Sequence, residues 1–258
     1  MELLVSVVNE EQAASAATLG VVWVDLKDPS RGPLGMASQV RQQAVLERLR
    51  AWPNIRRSVA LGEVAEHDST QPLPLPCPGF QFAKLGTAHL IPAEPTVPPD
   101  AAAWWPRWST WYHALPDGCQ GVLVAYADSR ACLGMDVDTA LDLALRHNLP
   151  YVLVDTYDKS AGGLFPIVAR EYRLPKIRTW IDRAKQQGTH LALAGQLSLS
   201  EVQQLSDWQA EIVGVRSAVC ERDELGVPIR SGALCPDRLQ RLLAACQDST
   251  RGTAKIRS

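Results

Sequence analysis

Twenty of the 26 basic residues in this 258-residue chain are arginine, and only six are lysine: Lys27, Lys84, Lys159, Lys176, Lys185 and Lys255. An arginine keeps its charge, whereas a lysine can lose its proton and act as a base or an amine nucleophile. Three of the six stand at or just beyond the ends of short apolar runs. Asp25 and Lys27 lie two residues apart at the end of VVWVDLK, Lys84 sits near the end of FQFAKLG, and Asp155 and Lys159 fall on and just after YVLVDTYD. Asp128 closes a further run, GVLVAYAD. A neutral lysine flanked by carboxylates and other lysines can form an imine with a carbonyl compound and move protons around it.

The elements that must position these groups follow from the hydrophobic pattern. Strand-like runs occur at 3–8, 21–27, 57–62, 80–86, 121–128, 151–158, 190–196 and 212–220, alternating with helical periodicities. Asn9 is placed to cap the first helix, with Gln12 as its capping-box partner and Gly20 as its stop. A second helix is expected over 38–52 and another over 136–147. One ending before Gly188 carries Ile177, Trp180, Ile181 and Ala184 on one face. Ser198 and Glu201 form a capping box, and a last helix starts at Pro236 with Leu239, Leu242, Leu243 and Cys246 on one face. Trp104, Trp108 and Trp111 make a helical stripe, expected as core or as a contact between subunits. Residues 63–79 hold four prolines and leave little room for a helix.

Eight strands with seven strong crossover helices and one weak one predict an α/β protein, a single (β/α)₈ TIM barrel with a closed parallel sheet over residues 1–247, and a frayed tail over 248–258. No Gly-x-Gly-x-x-Gly follows the first strand and no Walker A sequence occurs, which removes the common nucleotide-binding folds.

In such barrels the active site lies at the C-terminal ends of the strands. Asp25, Lys27, Lys84, Asp128, Asp155 and Lys159 are therefore expected around one mouth. Strand ends make up roughly a tenth of the chain, so scatter would place fewer than one of six lysines there. Asp25 and Lys27, at i and i+2, share a face of their strand. The competing reading is a set of buried Asp–Lys ion pairs that merely close the barrel; for Lys159, a solvated loop charge competes with a substrate contact. Gly195 and Gly214, with the adjacent Gln196 and Val215, fit a phosphate site made from backbone amides after strands seven and eight, and Arg216 could add a charged donor. Glycines that only make room for tight turns would have the same spacing.

Bulk properties narrow the classes. A formal net charge of −2 offers nothing to nucleic acid or to an anionic membrane, and no apolar run approaches the length of a membrane span. The N-terminus lacks a basic region that would mark a signal peptide. Six scattered cysteines without Cys-x-x-Cys read as reduced thiols of a cytoplasmic protein, and the five scattered histidines do not have zinc-ligand spacing.

A family resemblance rests on segments in order along the barrel: Val5-Ser6-Val7-Val8-Asn9-Glu10; Asp25-Leu26-Lys27-Asp28-Pro29 with Gly32-Pro33-Leu34-Gly35; Lys84-Leu85-Gly86; Ala125-Tyr126-Ala127-Asp128; Leu153-Val154-Asp155-Thr156 with Lys159; Ala192-Leu193-Ala194-Gly195; and Gly214-Val215-Arg216. The chain resembles the (5-formylfuran-3-yl)methyl phosphate synthases of methanofuran and methylofuran biosynthesis. The resemblance covers about residues 3–220, and the Asp25-x-Lys27-x-Pro29 block with its Gly-Pro-Leu-Gly loop is its most specific part. It implies a lyase that joins two glyceraldehyde 3-phosphate molecules into a furan aldehyde phosphate with loss of phosphate and water. No organic cofactor or metal is implied. Lys27 would form the Schiff base and Lys84 would accept a proton. Asp25, Asp155 and Lys159 would contact substrate or shuttle protons, and Gly195 and Gly214 would stand at phosphate positions. A triose phosphate is the expected small-molecule partner, with no nucleic acid and no membrane, and the protein is expected to be a homo-oligomer.

The sequence departs from that pattern after the third strand, where Gly62-Glu63-Val64-Ala65-Glu66-His67-Asp68 replaces the usual Gly-Asp-Val segment and Lys-Pro-Gly turn, and in a Pro-rich loop over 88–103. Two alternatives stay open at this point: a class I aldolase-like barrel acting on another sugar phosphate, and a barrel that binds a phosphometabolite without catalysis.

Overall fold

A computed structural model describes residues 1–90, 104–229 and 232–247. The tail at 248–258 and most of the Pro-rich 88–103 loop lie outside the described residues. Eight parallel strands close on themselves in sequence order, β1 (Glu2–Val7), β2 (Trp23–Leu26), β3 (Arg56–Glu63), β4 (Phe82–Gly86), β5 (Gln120–Tyr126), β6 (Tyr151–Asp155), β7 (His190–Leu193) and β8 (Ile212–Val215), with β8 pairing back onto β1. The helices are α1 (Glu10–Thr18), α2 (Gln39–Arg48), α3 (Trp105–His113), α4 (Val137–His147), α5 (Leu164–Glu171), α6 (Pro175–Gln187), α7 (Leu199–Asp207) and α8 (Pro236–Gln247). The closed TIM barrel is the fold that the alternating pattern implies.

Several boundaries differ from expectation for one physical reason. The strands expected over 151–158, 190–196 and 212–220 end at Asp155, Leu193 and Val215, because pairing must stop where the chain turns outward to build the mouth. Gly195 (φ 112°) and Gln196 (φ 50°) make that turn after β7. The β3–β4 connection has no α-helix, only a 3₁₀ turn at Val64–Glu66, as its prolines require. The β6–β7 connection holds two helices, and α5 has no counterpart in the periodicity reading. The helix expected over 38–52 is α-helical only to Arg48 and finishes in a 3₁₀ turn.

Strand alternation divides the side chains into two cores. Leu3, Val5 and Val7 of β1, with Val24, Leu26, Val213 and Val215, pack outward beneath the helices. Leu4, Trp23, Phe82, Val122, Leu153, Ala192 and Ile212 fill the barrel. At the bottom, Trp23 and Phe82 pack with ring centres 4.4 Å apart and planes tilted by 45°, and Tyr151 meets Phe82 edge-on at 5.0 Å. These aromatics, with Lys84 of the polar layer above them, line a cavity inside the N-terminal half of the barrel. Trp108 and Trp111 of α3 are buried in the outer core, with Trp104 packed beside it, so the tryptophan stripe is core. Asn9 accepts from Gln12 N at 3.0 Å as a cap should, but the Gln12 side chain accepts from Val8 N, not from Asn9 N. Ser198 and Glu201 form the expected reciprocal box.

Candidate active site

The C-terminal mouth opens into a cavity whose walls include Ser6, Lys27, Lys84, Asp155, Lys159, Gly195, Gln196, Gly214, Val215 and Arg216. Three lysines from three strand ends therefore face one space, and their environments differ. Lys84 is buried and ion-paired to Asp25, with Nζ to Oδ1 at 2.6 Å. Asp25 lies beneath the cavity, wholly buried, and its second oxygen accepts from Ser6 Oγ at 3.0 Å. Lys159 pairs with Asp155 at 2.7 Å and also donates to Thr156 Oγ1 at 3.0 Å.

Lys27 is the exception. It is the first residue beyond β2, held there by its amide donating to Val7 O at 3.1 Å. Its ammonium donates to the Pro33 carbonyl at 3.2 Å, and among the described residues it forms no ion pair. The loop that supplies Pro33 is folded back by Asp28 N donating to Gly35 O at 2.8 Å, and Asp28 starts its short 3₁₀ turn by accepting from Ser30 N. The Asp-Pro and Gly-Pro-Leu-Gly sequence thus builds a carbonyl ceiling over Lys27. Burial pushes the Lys27 pKa down to about 8; Asp155 pulls it back up, while the ammonium groups of Lys159 and Lys84 lower it further. Burial alone would raise the Asp155 carboxyl, but Lys159 and Lys27 outweigh it and hold it below the usual carboxylate range.

The glycines of the phosphate candidate line this cavity. Gly195 needs both its positive φ and its missing side chain, since a Cβ there would lie 2.8 Å from the Thr156 methyl. The Val215 side chain points outward into the helix-facing core, leaving only its backbone toward the cavity.

Two expected site residues have other engagements. The Arg216 guanidinium donates inward, to Ser6 O at 3.1 Å, to Gln12 Oε1 at 2.7 Å and to Gly232 O at 3.3 Å, tying β8 to β1 and α1. Asp128, expected to touch substrate, accepts from the amides of Tyr157 and Asp158 at 2.7 and 2.8 Å and braces the loop that carries Lys159; it does not line the cavity. A carboxylate saturated by backbone amides holds a loop in shape instead of meeting a ligand.

Glu63, at the end of β3, escaped sequence reasoning because a lone glutamate after a strand ordinarily faces solvent. Here it is 2% exposed. It accepts from the Tyr126 hydroxyl and from Ala88 N, the latter at 2.9 Å. Gly86 makes room for it across the ladder: a Cβ at that position would sit 1.9 Å from Oε2. Tyr126 in turn pairs in register with Asp155, so Glu63 stands behind the site. Burial raises the Glu63 carboxyl from 4.5 to about 7, in spite of the hydrogen bonds from Tyr126 and Ala88. The folded chain therefore holds this proton between those pH values while the unfolded chain has released it, and stability falls as pH rises through that window. Glu63→Gln is expected to remove that part of the decline; denaturation midpoints of the two proteins at pH 4.5 and pH 7.5 test this. An unchanged difference between them would exclude a proton on Glu63.

Among the described residues, no group of three or more His, Cys, Asp or Glu could hold a metal ion, and no helix is long and apolar enough to cross a membrane.

Comparison with known proteins gives a family and a fold. The family model described as 4-HFC-P synthase matches residues 3–242. A (5-formylfuran-3-yl)methyl phosphate synthase of Methanopyrus kandleri is 27% identical over 226 residues, covering 86% of this chain and 90% of the relative. That of Methanosarcina mazei is 25% identical, covering 96% of this chain and 100% of its own length. Among solved structures, phosphoribosyl anthranilate isomerase from Thermus thermophilus superimposes with a TM-score of 0.57 at 15% identity, over 96% of this chain and 99% of that one. KGPDC from Streptococcus mutans gives 0.56 at 11% identity, over 95% and 97%. At such identities the two structures speak for the barrel alone.

Proposed function

The chain belongs to the 4-HFC-P synthase family, and on that footing we propose that it is a lyase condensing two glyceraldehyde 3-phosphate molecules into (5-formylfuran-3-yl)methyl phosphate through a Schiff base on Lys27. The observation that carries this reading is the contrast among the lysines. Lys84 and Lys159 each hold a carboxylate within 2.7 Å, whereas Lys27 donates to a carbonyl, forms no ion pair among the described residues, and its pKa falls to about 8. The lysine with the least to keep it charged is the one that can attack a carbonyl carbon.

The roles follow from position. The Lys27 amine adds to the carbonyl of one triose phosphate and expels water, giving an iminium that acidifies the neighbouring carbon. Lys84, held by Asp25 across the same cavity, takes the proton from that carbon once its own proton has passed to Asp25. The resulting enamine expels phosphate from the next carbon. That carbon, now an enol terminus, adds to C2 of the second triose after a proton shift from its C2 to its C1 has turned that triose into the ketone. The C1 hydroxyl of the second triose then closes the ring on the C2 carbonyl of the first. Loss of the two remaining hydroxyl groups as water makes it aromatic and hydrolysis of the imine releases the furan; no oxidant is needed because the oxidation level of the six carbons is conserved. Asp155 and Lys159 pass protons to the departing hydroxyl groups. Backbone amides at Gly195, Gln196, Gly214 and Val215 hold a phosphate.

Formation of an ultraviolet-absorbing furan together with phosphate release from glyceraldehyde 3-phosphate tests the reading. A reversible aldol reaction with no absorbing product would make the chain an aldolase-like barrel instead. Because the nucleophile must be neutral, the rate of borohydride trapping is expected to rise with pH about a midpoint near 8. Below that pH the folded state carries a buried ammonium flanked by Lys84 and Lys159. A trapping rate flat from pH 6.5 to 9.5 would show that Lys27 does not titrate in this range.

A further inference from the structure

A second concavity lies beside the catalytic cavity between the N-terminal ends of α7 and α8. Gln196 and Ser217 line both spaces. Gln196 also donates to the Lys159 carbonyl at 2.5 Å, so the wall between the two is braced against the lysine loop. Three arginines, Arg222, Arg238 and Arg241, contribute to this cleft, and none of its lining side chains is acidic.

The placement of two of these arginines works against the fold that holds them. Arg238 lies in the first turn of α8, where the helix dipole disfavours a cation. Arg241 follows at i+3, so two like charges share one helical face, an arrangement that destabilises a helix slightly. Among the described residues neither has an ion pair with a carboxylate. Guanidinium groups that form no ion pair among the described residues, in a concave site beside the Ser217 hydroxyl, are suited to a multiply charged oxyanion that they can grip with paired hydrogen bonds.

We propose that Arg222, Arg238 and Arg241 form a phosphate-monoester site that holds the phosphate of the second triose, the one not attached to Lys27. This inference rests on the reading above, in which two phosphorylated trioses must be present in one turnover. The glycine-lined cavity takes the phosphate of the Schiff-base triose, and the cleft reached past Gln196 and Ser217 takes the other. Arg216 is engaged in internal bonds to β1 and α1 and Arg222 also donates to Gly226 O, so Arg238 and Arg241 supply most of the grip and Arg222 adds its charge beside them.

The test compares the wild type with the Arg238→Ala/Arg241→Ala protein; Arg241→Ala alone serves if the double variant does not fold. Both side chains are at least partly exposed, so an unchanged Tm in the absence of phosphate is expected. Each lost charge-assisted contact raises KM for glyceraldehyde 3-phosphate, by about tenfold or more together. Competitive inhibition by inorganic phosphate weakens in parallel, while the borohydride adduct on Lys27 forms to the wild-type extent. Unchanged KM and unchanged phosphate inhibition would overturn the assignment, and so would loss of the Lys27 adduct in the variant, because that would put the first triose in the cleft. If the wild type itself forms neither adduct nor furan, the catalytic reading fails. The cleft is then still decided by inorganic phosphate raising Tm further in the wild type than in the variant, which keeps the glycine-lined cavity; equal shifts in both would exclude it.

Discussion

Replacing Lys27 with alanine is expected to abolish the borohydride-trapped adduct and to lower turnover on the order of 10⁴- to 10⁶-fold, the range seen when a covalent nucleophile is removed. The size follows from what remains. Asp155, Lys159 and the glycine-lined wall can still bind a triose phosphate, but with no imine the carbon next to the carbonyl loses its acidity, and Lys84 has no proton it can remove at a useful rate. Substrate affinity therefore changes little while kcat collapses. Folding is expected to survive, because Lys27 forms no ion pair among the described residues and its loss strands no buried carboxylate. A Lys27→Ala protein that traps triose phosphate like the wild type would show that another amine carries the chemistry.

Lys84 behaves differently because of Asp25. Lys84→Met leaves a wholly buried carboxylate whose only other side-chain hydrogen bond among the described residues comes from Ser6. Removing one partner of a buried ion pair typically costs about 3–5 kcal/mol. The loss is measured by denaturant unfolding. The double variant Asp25→Asn/Lys84→Met is expected to recover most of the stability and none of the turnover, while it still forms some adduct on Lys27. That pattern separates the two jobs of the pair, since stability returns when the charge imbalance is removed but proton transfer does not. A single variant that loses less than about 1 kcal/mol would mean the pair is more hydrated than its 2.6 Å contact implies.

The barrel was legible because its evidence is local. Each strand is an apolar run buried on both faces, and the prolines of 63–79 announced the missing β3–β4 helix. Strand ends were less legible: 190–196 reads as one apolar run, yet pairing stops at Leu193 so that Gly195 and Gln196 can turn into the mouth. Helix α5 escaped notice because Gly162, Gly163 and Pro166 break up the signal at its start. The lysines could be placed at the mouth from sequence because strand ends converge there in any such barrel. Which lysine is free could not, since Asp25 and Lys27 are neighbours in sequence while the carboxylate of Asp25 goes to Lys84 on β4. Glu63 and Arg216 teach the same point in opposite directions. The burial of Glu63 depends on Gly86 across the ladder, and the inward hydrogen bonds of Arg216 depend on Ser6 and Gln12, more than 200 residues earlier in the chain.

The most direct test of the Schiff-base account is mass spectrometry of the protein after borohydride reduction in the presence of glyceraldehyde 3-phosphate. A single reduced triose-phosphate adduct on the peptide that contains Lys27 is the predicted result. An adduct on Lys84 or Lys159 with Lys27 unmodified, or no adduct under conditions that produce furan, would contradict it.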